Sequence, residues 1–285
     1  MNAKTRESLL KHFAKIPADV LAPSDVTALL EQNQTAWNAY DVSGRKALAF
    51  LVDNSILSPA EFTSTRYRPF TRYVRGNPSP YLLATSLRRA SFLCHLTALE
   101  LHELSHPNKI VYTNYEQEPK PEGEGLTQLR IRNAFKKKQR TTNYRFTYAG
   151  HEYVLINGKN TDRAGVVNHL SPDGKVVEVT NLERTLIDIA VRPAYAGGIQ
   201  QVAEVYKMAI SRIQVDGILK LLSKMNYTYP YQQSIGFLLE RAGCNQSELR
   251  KLERAKSEFD FFLDYGMKNP AYSERWQLFY PPSLH

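Results

Sequence analysis

Two acidic residues form the pattern in this sequence that comes closest to a metal-dependent hydrolytic site. Nucleases hold a divalent ion with Asp and Glu and place a lysine nearby to activate water. Asp173 and Glu178 are the candidate pair here, but Thr180 stands where that lysine belongs. Asp173-Gly174 is also typical of a hairpin turn. The chain has neither a Walker-type phosphate loop nor a Gly-x-Ser-x-Gly elbow, so we expect no enzymatic activity.

Isolated ionisable residues suggest two further kinds of site, an acid–base residue and a metal site. Asp188 lies among apolar residues and could act as an acid or base, although a buried structural hydrogen bond explains it better. His95, His102 and His106 fall close together, with His102 and His106 one helical turn apart. A zinc site takes three or four protein ligands, and no third ligand follows at a fitting spacing. We therefore expect no metal and no cofactor.

Basic residues dominate the charge of the chain, and phosphate binding is the chemistry that suits them. The 37 lysines and arginines exceed the 28 acidic residues, for a formal charge of +9, which favours polyanionic partners, nucleic acid first. One set lies between residues 62 and 81, which include no acid: Arg66, Arg68, Arg72 and Arg75. These arginines could contact a DNA backbone. Alternatively, they only keep an exposed hairpin soluble.

A second basic block spans residues 125–151, again without an acid. Tyr144, Phe146 and Tyr148 alternate within it and therefore predict one inward-facing side of a strand. Its densest part has two open interpretations. It is either a second contact with nucleic acid, DNA or RNA, or the solvated end of a helix. The residues of this part are Lys136, Lys137, Lys138 and Arg140.

The elements that must position the first basic set are three helices and a hairpin. Apolar spacing predicts a helix over 4–15, a second around Val26 to Leu30 that begins at Ser24, and a third that begins at Asp41 or Ser43. Strand-forming residues follow over 56–74. This order predicts a winged helix-turn-helix domain over residues 1–78, although small winged helices also serve as protein docking modules.

A helix-turn-helix places its second helix in the major groove, where the first turn of that helix faces the bases. In this chain that helix is the third. The candidates for base and backbone contact around it are Thr35, Asn38, Ser43, Arg45 and Lys46. The hairpin with its four arginines would lie against the backbone or the minor groove.

The rest of the chain, 79–285, predicts a larger mixed domain, so the whole is expected to be α+β. Helical spacing marks 80–87 and 91–104, and an exposed loop is expected over 115–127. A small, mostly antiparallel sheet is predicted over about 110–180, with turns at Ala149-Gly150, Asn157-Gly158 and Asp173-Gly174. Helices should follow over about 181–256, and strands over about 259–280 should close onto the sheet.

The most densely specified stretch is TNLERTLIDIAVRPAYAGG, residues 180–198. Thr180 and Glu183 have the spacing of a capping box, which predicts a helix start, and the apolar residues that follow predict a core helix. Pro193 should end the helix, and Gly197-Gly198 permits a tight reversal. Read physically, the stretch is a helical corner.

Within that corner, ERTLIDIAVRPAYAGG resembles the signature of AbiEi-type antitoxins. Supporting resemblance comes from PYLLATSLRRASFLCHLTALELHEL, YVLINGKNTDRAGV and YQQSIGFLLERAG. The turn around 37–41 is longer than the family pattern. The residues that match the signature, for which we expect a structural role, are Glu183, Arg184, Asp188, Arg192, Pro193, Gly197 and Gly198.

The resemblance implies an antitoxin of a type IV toxin–antitoxin system of the abortive-infection, phage-defence type. Its winged helix would repress its own operon by binding inverted repeats in promoter DNA. Its larger domain would antagonise a nucleotidyltransferase-like toxin without an obligatory stable complex. Two alternatives remain, a module that sequesters its toxin by direct contact and a DNA-binding regulator without an antitoxin role.

The distribution of apolar residues and the two cysteines indicate the cellular compartment. The sequence has no apolar run of membrane-spanning length, and its N-terminus is too polar for a secretory signal. Cys94 and Cys244 are expected to be free thiols. We therefore expect a cytoplasmic protein without a membrane partner.

Overall fold

The computed structural model describes residues 1–16, 18–119 and 125–284 of the 285-residue chain. These residues form eleven α-helices and three β-sheets, which is a mixed α+β fold, as predicted. The centre of the predicted exposed loop, 120–124, lies outside the described residues. Within the described ranges, no helix is both long and apolar enough to cross a lipid bilayer.

The N-terminal part contains the three predicted helices and the predicted hairpin, together with one short extra strand. Its three-stranded sheet has the order β1-β3-β2 and is antiparallel throughout. Leu9, Phe13, Val26 and Leu51 are buried together between the helices and this sheet. The elements are α1 (Ala3–Phe13), β1 (Val20–Leu21), α2 (Pro23–Gln32), α3 (Gly44–Asp53), β2 (Ser58–Phe62) and β3 (Phe70–Val74).

Local capping explains where these helices begin. Ser43 is the N-cap of α3, as predicted, and its Oγ accepts a hydrogen bond from the amide of Lys46 at 3.4 Å. Ser24 was expected to cap the second helix, but α2 already begins at Pro23. There the carboxylate of Asp25 accepts a hydrogen bond from the amide of Ala22 at 2.7 Å, and proline suits the first helical position because its missing donor costs nothing there.

A six-stranded sheet with the order β6-β7-β5-β4-β9-β8 forms the centre of the larger part. Three of its strand pairs are antiparallel, but β4 with β9 and β5 with β7 are parallel. The sheet is therefore mixed: most of its strand pairs are antiparallel, as predicted, but the two parallel pairs were not predicted. Its elements are α4 (Pro80–Ser86), β4 (Phe92–Leu93), α5 (His95–Leu101), β5 (Ile110–Glu116), α6 (Gln128–Phe135), β6 (Arg145–Tyr148), β7 (His151–Gly158), β8 (Val166–Leu170) and β9 (Val176–Thr180).

Two local predictions in this part were wrong. The segment 91–104 is not one helix, because β4 enters the sheet between β5 and β9 before α5 begins. Asn157-Gly158 is not a turn, because β7 runs through Gly158. A Cβ at Gly158 would lie 2.5 Å from the side-chain oxygen of Asn114, which accepts the Gly158 amide hydrogen bond at 2.9 Å. The glycine therefore permits a close approach of two strands.

Five helices and a third sheet complete the chain. The predicted closing strands form a separate sheet with the order β10-β12-β11 and do not join the large one. The ring of Trp276, which is fully buried, lies against Gly236 in α10, where a Cβ would approach it to 2.1 Å. The elements are α7 (Leu182–Val191), α8 (Ile199–Ala209), α9 (Val215–Met225), α10 (Tyr231–Arg241), α11 (Gln246–Arg254), β10 (Phe261–Phe262), β11 (Ala271–Ser273) and β12 (Leu278–Tyr280).

The helical corner is present, but its cap differs from the expected one. Asn181, not Thr180, is the N-cap of α7, and its side chain accepts a hydrogen bond from the amide of Arg184 at 2.9 Å. Thr180 ends β9, and its hydroxyl bonds the hydroxyl of Thr185 at 2.7 Å. The side chain of Glu183 instead accepts a hydrogen bond from the amide of Gln214, the N-cap residue of α9, at 3.4 Å. An acidic group is stabilising at that helix end.

The end of α7 agrees with the prediction. The helix stops at Val191, before Pro193, and a short 3-10 turn follows at Pro193–Tyr195. Gly197 and Gly198 have φ angles of 83° and 93°, a conformation that glycine adopts without strain. They reverse the chain into α8.

Candidate nucleic-acid interface

The first turn of α3 carries exposed cations. Arg45 and Lys46 are exposed, and their side chains make no hydrogen bond or ion pair with the described residues. The opposite face of α3 buries Ala47 and Leu51. Gly44 lets α3 approach α2, because a Cβ at this position would lie 2.2 Å from Oγ1 of Thr27. Packing therefore fixes the helix while its two cations stay free.

The long connection between α2 and α3 belongs to the core. Trp37 is only 3% exposed, and its ring lies 5.4 Å from the ring of Phe13. The carbonyl of Asn38 accepts a hydrogen bond from the hydroxyl of Thr5 at 2.7 Å. Thr35 is exposed, whereas the side chain of Asn38 is half-buried. Of these two candidates, Thr35 is the more accessible.

The structure separates the four hairpin arginines into two kinds. Arg66 and Arg68 lie in the loop between β2 and β3, are exposed, and have no side-chain partner within the described ranges. Arg72 donates to the carbonyls of Ser86 and Leu87 at 3.0 and 3.1 Å. Arg72 therefore ties the hairpin to the end of α4.

Arg75, likewise, is engaged inside the protein. Its guanidinium donates to the carbonyls of Phe13, Ala14 and Ile16, where α1 ends. It therefore satisfies carbonyls that the helix end leaves without a partner. Only Arg66 and Arg68 remain as free cations of the four.

The hairpin loop and the strand residues next to it lie on the large sheet. Thr63 and Thr147 exchange two main-chain hydrogen bonds of 3.1 and 2.8 Å. The ring of Phe70 lies 4.7 Å from that of Phe146, and the ring of Tyr67 lies 4.8 Å from that of Tyr144. The aromatic side chains of β6 face inward as predicted, and what they face is the hairpin.

An arginine that the sequence analysis did not single out, Arg88, borders this contact. Arg88 and Arg89 follow α4 and are exposed. The guanidinium of Arg88 donates to the hydroxyl of Tyr144 at 2.8 Å and lies over the rings of Tyr144 and Tyr115 at 5.1 and 5.3 Å. The adjacent arginines in SLRRA, directly after a predicted helix, were the available signal.

The second basic cluster, Lys136, Lys137, Lys138 and Arg140, follows α6. All four residues are exposed, and their side chains have no hydrogen bond or ion pair with residues in the described part. The main chain around them is anchored on both sides. The carbonyl of Phe135 accepts a hydrogen bond from the amide of Gly266 at 2.8 Å, and the side chain of Gln139 accepts one from the amide of Ala194 at 3.0 Å.

A third anchor follows the cluster, where the amide of Thr142 donates to the hydroxyl of Tyr195 at 2.7 Å. Ala194 and Tyr195 both belong to the helical corner. The corner therefore holds the course of the basic segment, although it carries none of the segment's charge.

Two of the charged residues of the corner motif, Arg184 and Asp188, are internal, whereas Glu183 and Arg192 are half-buried. Arg184 is 1% exposed, and its guanidinium also donates to the hydroxyl of Thr161 at 2.9 Å and lies 4.0 Å from a carboxylate oxygen of Glu116. Its ion pair with Asp188 measures 2.8 Å. Burial raises the pKa of the Asp188 carboxyl group, against the opposing effect of Arg184. Arg184 and Asp188 support the packing of α7 and do not meet solvent.

The residues considered for metal chemistry do not assemble. Among the described residues, no group of three or more His, Cys, Asp or Glu side chains is arranged to hold a metal ion. His95 is buried, and a ring nitrogen of His102 bonds the carbonyl of Thr180 at 2.7 Å. Asp173 accepts a hydrogen bond from Ser171 at 2.5 Å, and Glu178 pairs with Arg163 at 2.6 Å.

Comparison with known proteins finds a similarity of structure. No protein-family model matches the chain, and neither does any curated protein. Among solved structures, the crystal structure of the RV2827C protein from Mycobacterium tuberculosis is similar, with a TM-score of 0.56 and 14% sequence identity. The match covers 98% of this chain and 92% of that one. At this identity it supports the mixed α+β fold over nearly the whole length and says nothing about function.

Proposed function

We propose that residues 1–78 form a winged helix-turn-helix that binds double-stranded DNA, and that the chain represses its own promoter. The order of helices and strands in this part and the contact between α2 and α3 support the architecture. In it, the first turn of α3 faces the bases and the hairpin loop lies along the backbone.

The observation that carries the proposal is the location of the free cations. Arg45 and Lys46 lie on the first turn of α3, and Arg66 and Arg68 lie on the hairpin loop. Each is exposed and unpaired within the described chain. Lysines and arginines that neutralise phosphates release counterions, which makes binding strong at low salt and steeply salt-dependent. Ser43, at the start of α3, and Thr35, in the connection before it, are exposed as well.

Fluorescence anisotropy with a promoter fragment at several salt concentrations tests the hairpin assignment. The double variant Arg66→Ala, Arg68→Ala should bind more weakly, with a slope of log K against log[salt] reduced by about 1 per lost phosphate contact. Arg250 and Lys220 are exposed on α11 and α9 and provide a matched control pair for Ala substitution. Binding equal to wild type, with an unchanged slope, would remove the hairpin loop from the interface.

Arg72 is left out of this variant on purpose. Its guanidinium holds the end of α4, so its loss would disturb the hairpin by a route unrelated to DNA. The same reason excludes Arg75. The two loop arginines test the interface without a structural side effect.

We further propose an antitoxin role for residues 79–285, on the basis of the resemblance of 183–198 to the AbiEi signature. In this role the larger domain antagonises a nucleotidyltransferase-like toxin encoded beside it. Growth of cells that co-express this chain and the neighbouring gene is the test, because rescue from toxicity is expected. A neighbouring gene of another kind, or absence of rescue, would leave a DNA-binding regulator without an antitoxin role.

Co-purification decides between antagonism without a stable complex and direct sequestration. We expect the two proteins to separate at moderate salt. A stoichiometric complex that survives moderate salt would favour a module that sequesters its toxin by contact.

A further inference from the structure

The hairpin loop is paired with the large sheet where it begins, at Thr63, and between Arg66 and Arg68 it touches the sheet again through the side chain of Tyr67. The ring of Tyr67 lies 4.8 Å from that of Tyr144, at an angle of 68°, and 6.1 Å from that of Phe146. Tyr67 remains 42% exposed. Since the two cations flank Tyr67 directly in the chain, the position of its ring restricts where both can point.

Tyr144, in turn, is held from the other side by Arg88. The guanidinium donates to the Tyr144 hydroxyl at 2.8 Å and lies over its ring. It also lies over Tyr115 in β5, whose ring is 6.4 Å from that of Tyr144. The carbonyl of Tyr144 accepts a hydrogen bond from the amide of Leu155 at 2.9 Å. Both its ring and its main chain are therefore fixed.

We infer that Arg88 and Tyr144 are positioning residues for DNA binding, which hold the hairpin loop through Tyr67 in the conformation that presents Arg66 and Arg68. This inference rests on the proposed DNA-binding function. It assigns to the larger domain a part in DNA recognition that requires no contact with DNA.

The physical reason is preorganisation. A loop that is disordered before binding must lose the conformational freedom of its long side chains on DNA, whereas a loop already held in place does not. Loss of the contact therefore lowers affinity and leaves the number of phosphates contacted unchanged. The salt dependence of binding measures that number separately from the affinity.

The DNA-binding arm uses the full chain and the promoter fragment. We expect Tyr144→Ala and Arg88→Ala each to weaken binding by about three- to tenfold at fixed salt, with the wild-type salt slope retained. Tyr144→Phe keeps the ring contact with Tyr67 and should lie between these variants and wild type. Tyr272→Ala is the control, because it removes a tyrosine on β11 whose hydroxyl, like that of Tyr144, is engaged in a side-chain hydrogen bond.

A salt slope reduced by about 1 in Arg88→Ala would overturn the inference for this residue, because Arg88 would then itself contact a phosphate. Unchanged affinity in Tyr144→Ala would overturn it for the tyrosine. Circular dichroism and thermal melting, run on every variant, exclude global unfolding as the cause of a loss.

A second arm needs no DNA and separates failure of this inference from failure of the proposed function. Trypsin cleaves after arginine but not before proline, so the loop offers the bond after Arg66 and protects the one between Arg68 and Pro69. We expect faster cleavage at Arg66, and faster amide hydrogen exchange over 63–69, in Tyr144→Ala and Arg88→Ala than in wild type. Equal rates would overturn the positioning role even if wild type binds DNA tightly. Faster rates in the variants, together with no DNA binding by wild type, would support the positioning of the loop and contradict the proposed DNA-binding function.

Discussion

The Nε atom of Arg184 donates a hydrogen bond to Oδ1 of Asp188 at 2.8 Å, and both side chains are buried one turn apart on α7. The second oxygen of Asp188 has no hydrogen-bond partner among the described residues. This pair lies at the centre of the motif on which the family resemblance depends. Its environment is the interior of the larger domain, where an unpaired charge is costly.

Removing one member of that pair should be strongly destabilising. Arg184→Met leaves Asp188 and Glu116 buried without their cation, so we expect the free energy of unfolding to fall by about 3–5 kcal/mol in urea denaturation. The control is Lys207→Ala, which breaks the exposed Lys207–Glu204 pair and should change it by less than about 1 kcal/mol. Equal effects of the two variants would contradict a structural role for Arg184.

The four hairpin arginines should differ in their contribution to stability in the same way as they differ in their contacts. Arg72→Ala and Arg75→Ala each leave main-chain carbonyls without their donors, so we expect each to lower the free energy of unfolding by about 1–3 kcal/mol. Arg66→Ala and Arg68→Ala should stay within about 0.5 kcal/mol of wild type. Thermal denaturation of the four single variants checks the division. Four equal values would show that the contacts of Arg72 and Arg75 contribute nothing.

The close approach of α2 and α3 predicts the effect of a single methyl group. In Gly44→Ala the new Cβ would lie 2.2 Å from Oγ1 of Thr27, so we expect a loss of about 1–3 kcal/mol in urea denaturation. Adding Thr27→Ala should recover part of the lost stability. Gly217→Ala in α9 is the control, because its nearest contact is an ordinary 3.4 Å to Glu183. It should be neutral or stabilising by about 0.5–1 kcal/mol.

A buried histidine, His95, and a half-buried one, His102, predict a dependence of stability on pH. Burial, with the nearby charges of Arg192 and Arg184, lowers the pKa of His95 well below its ordinary value, and burial also lowers the pKa of His102. The folded protein then binds fewer protons than the unfolded chain, whose histidines titrate near pH 6.5. The stability that these groups contribute is fully present above pH 6.5 and is lost as the pH falls below it.

We expect the free energy of unfolding to fall below pH 6.5 with a slope that approaches about 1.4 kcal/mol per pH unit for His95 and is smaller for His102, whose pKa is lowered less. Urea titrations between pH 6.5 and 5.5 measure the slope, above the range in which ordinary carboxylates titrate. His95→Asn tolerates the positive φ of 51° at this position and should remove one histidine's share of the slope. An identical slope in wild type and variant would show that His95 stays neutral in both states or charges in both.

The basic cluster after α6 gives a prediction that separates its two interpretations. Gln substitution at Lys136, Lys137, Lys138 and Arg140 should leave the melting temperature unchanged, since the segment is anchored by other groups. If the cluster is a second DNA contact, the salt slope of promoter binding falls by about 1 for each phosphate lost. An unchanged slope and affinity would identify a solvated basic face.

Local signals in the sequence were sufficient for several elements. Ser43 predicted the start of α3, and Pro193 with Gly197 and Gly198 predicted the end of α7 and the reversal after it. Each of these depends on interactions within a few residues, which a single sequence records. The alternation of Tyr144, Phe146 and Tyr148 likewise identified the inward face of β6.

The remaining features depend on partners that are distant in the chain. Arg66 and Arg72 are alike in sequence, and only the carbonyls of Ser86 and Leu87 make Arg72 structural. Strand β4 has two residues, too few for a periodicity, and the neighbour that it pairs with in parallel, β9, follows more than 80 residues later. Neither the internal contacts of Arg72 nor the parallel pairing of β4 with β9 could be predicted from the local sequence pattern.

The hydrogen bond from the Thr142 amide to the Tyr195 hydroxyl has a consequence for how related chains can diverge. The anchors of the basic segment are main-chain atoms, one glutamine and one tyrosine, and none of them is a lysine or an arginine. The path of the segment is therefore independent of its charge. Substitutions at 136–138 and 140 can change the electrostatic potential of this surface while the scaffold that carries it stays the same.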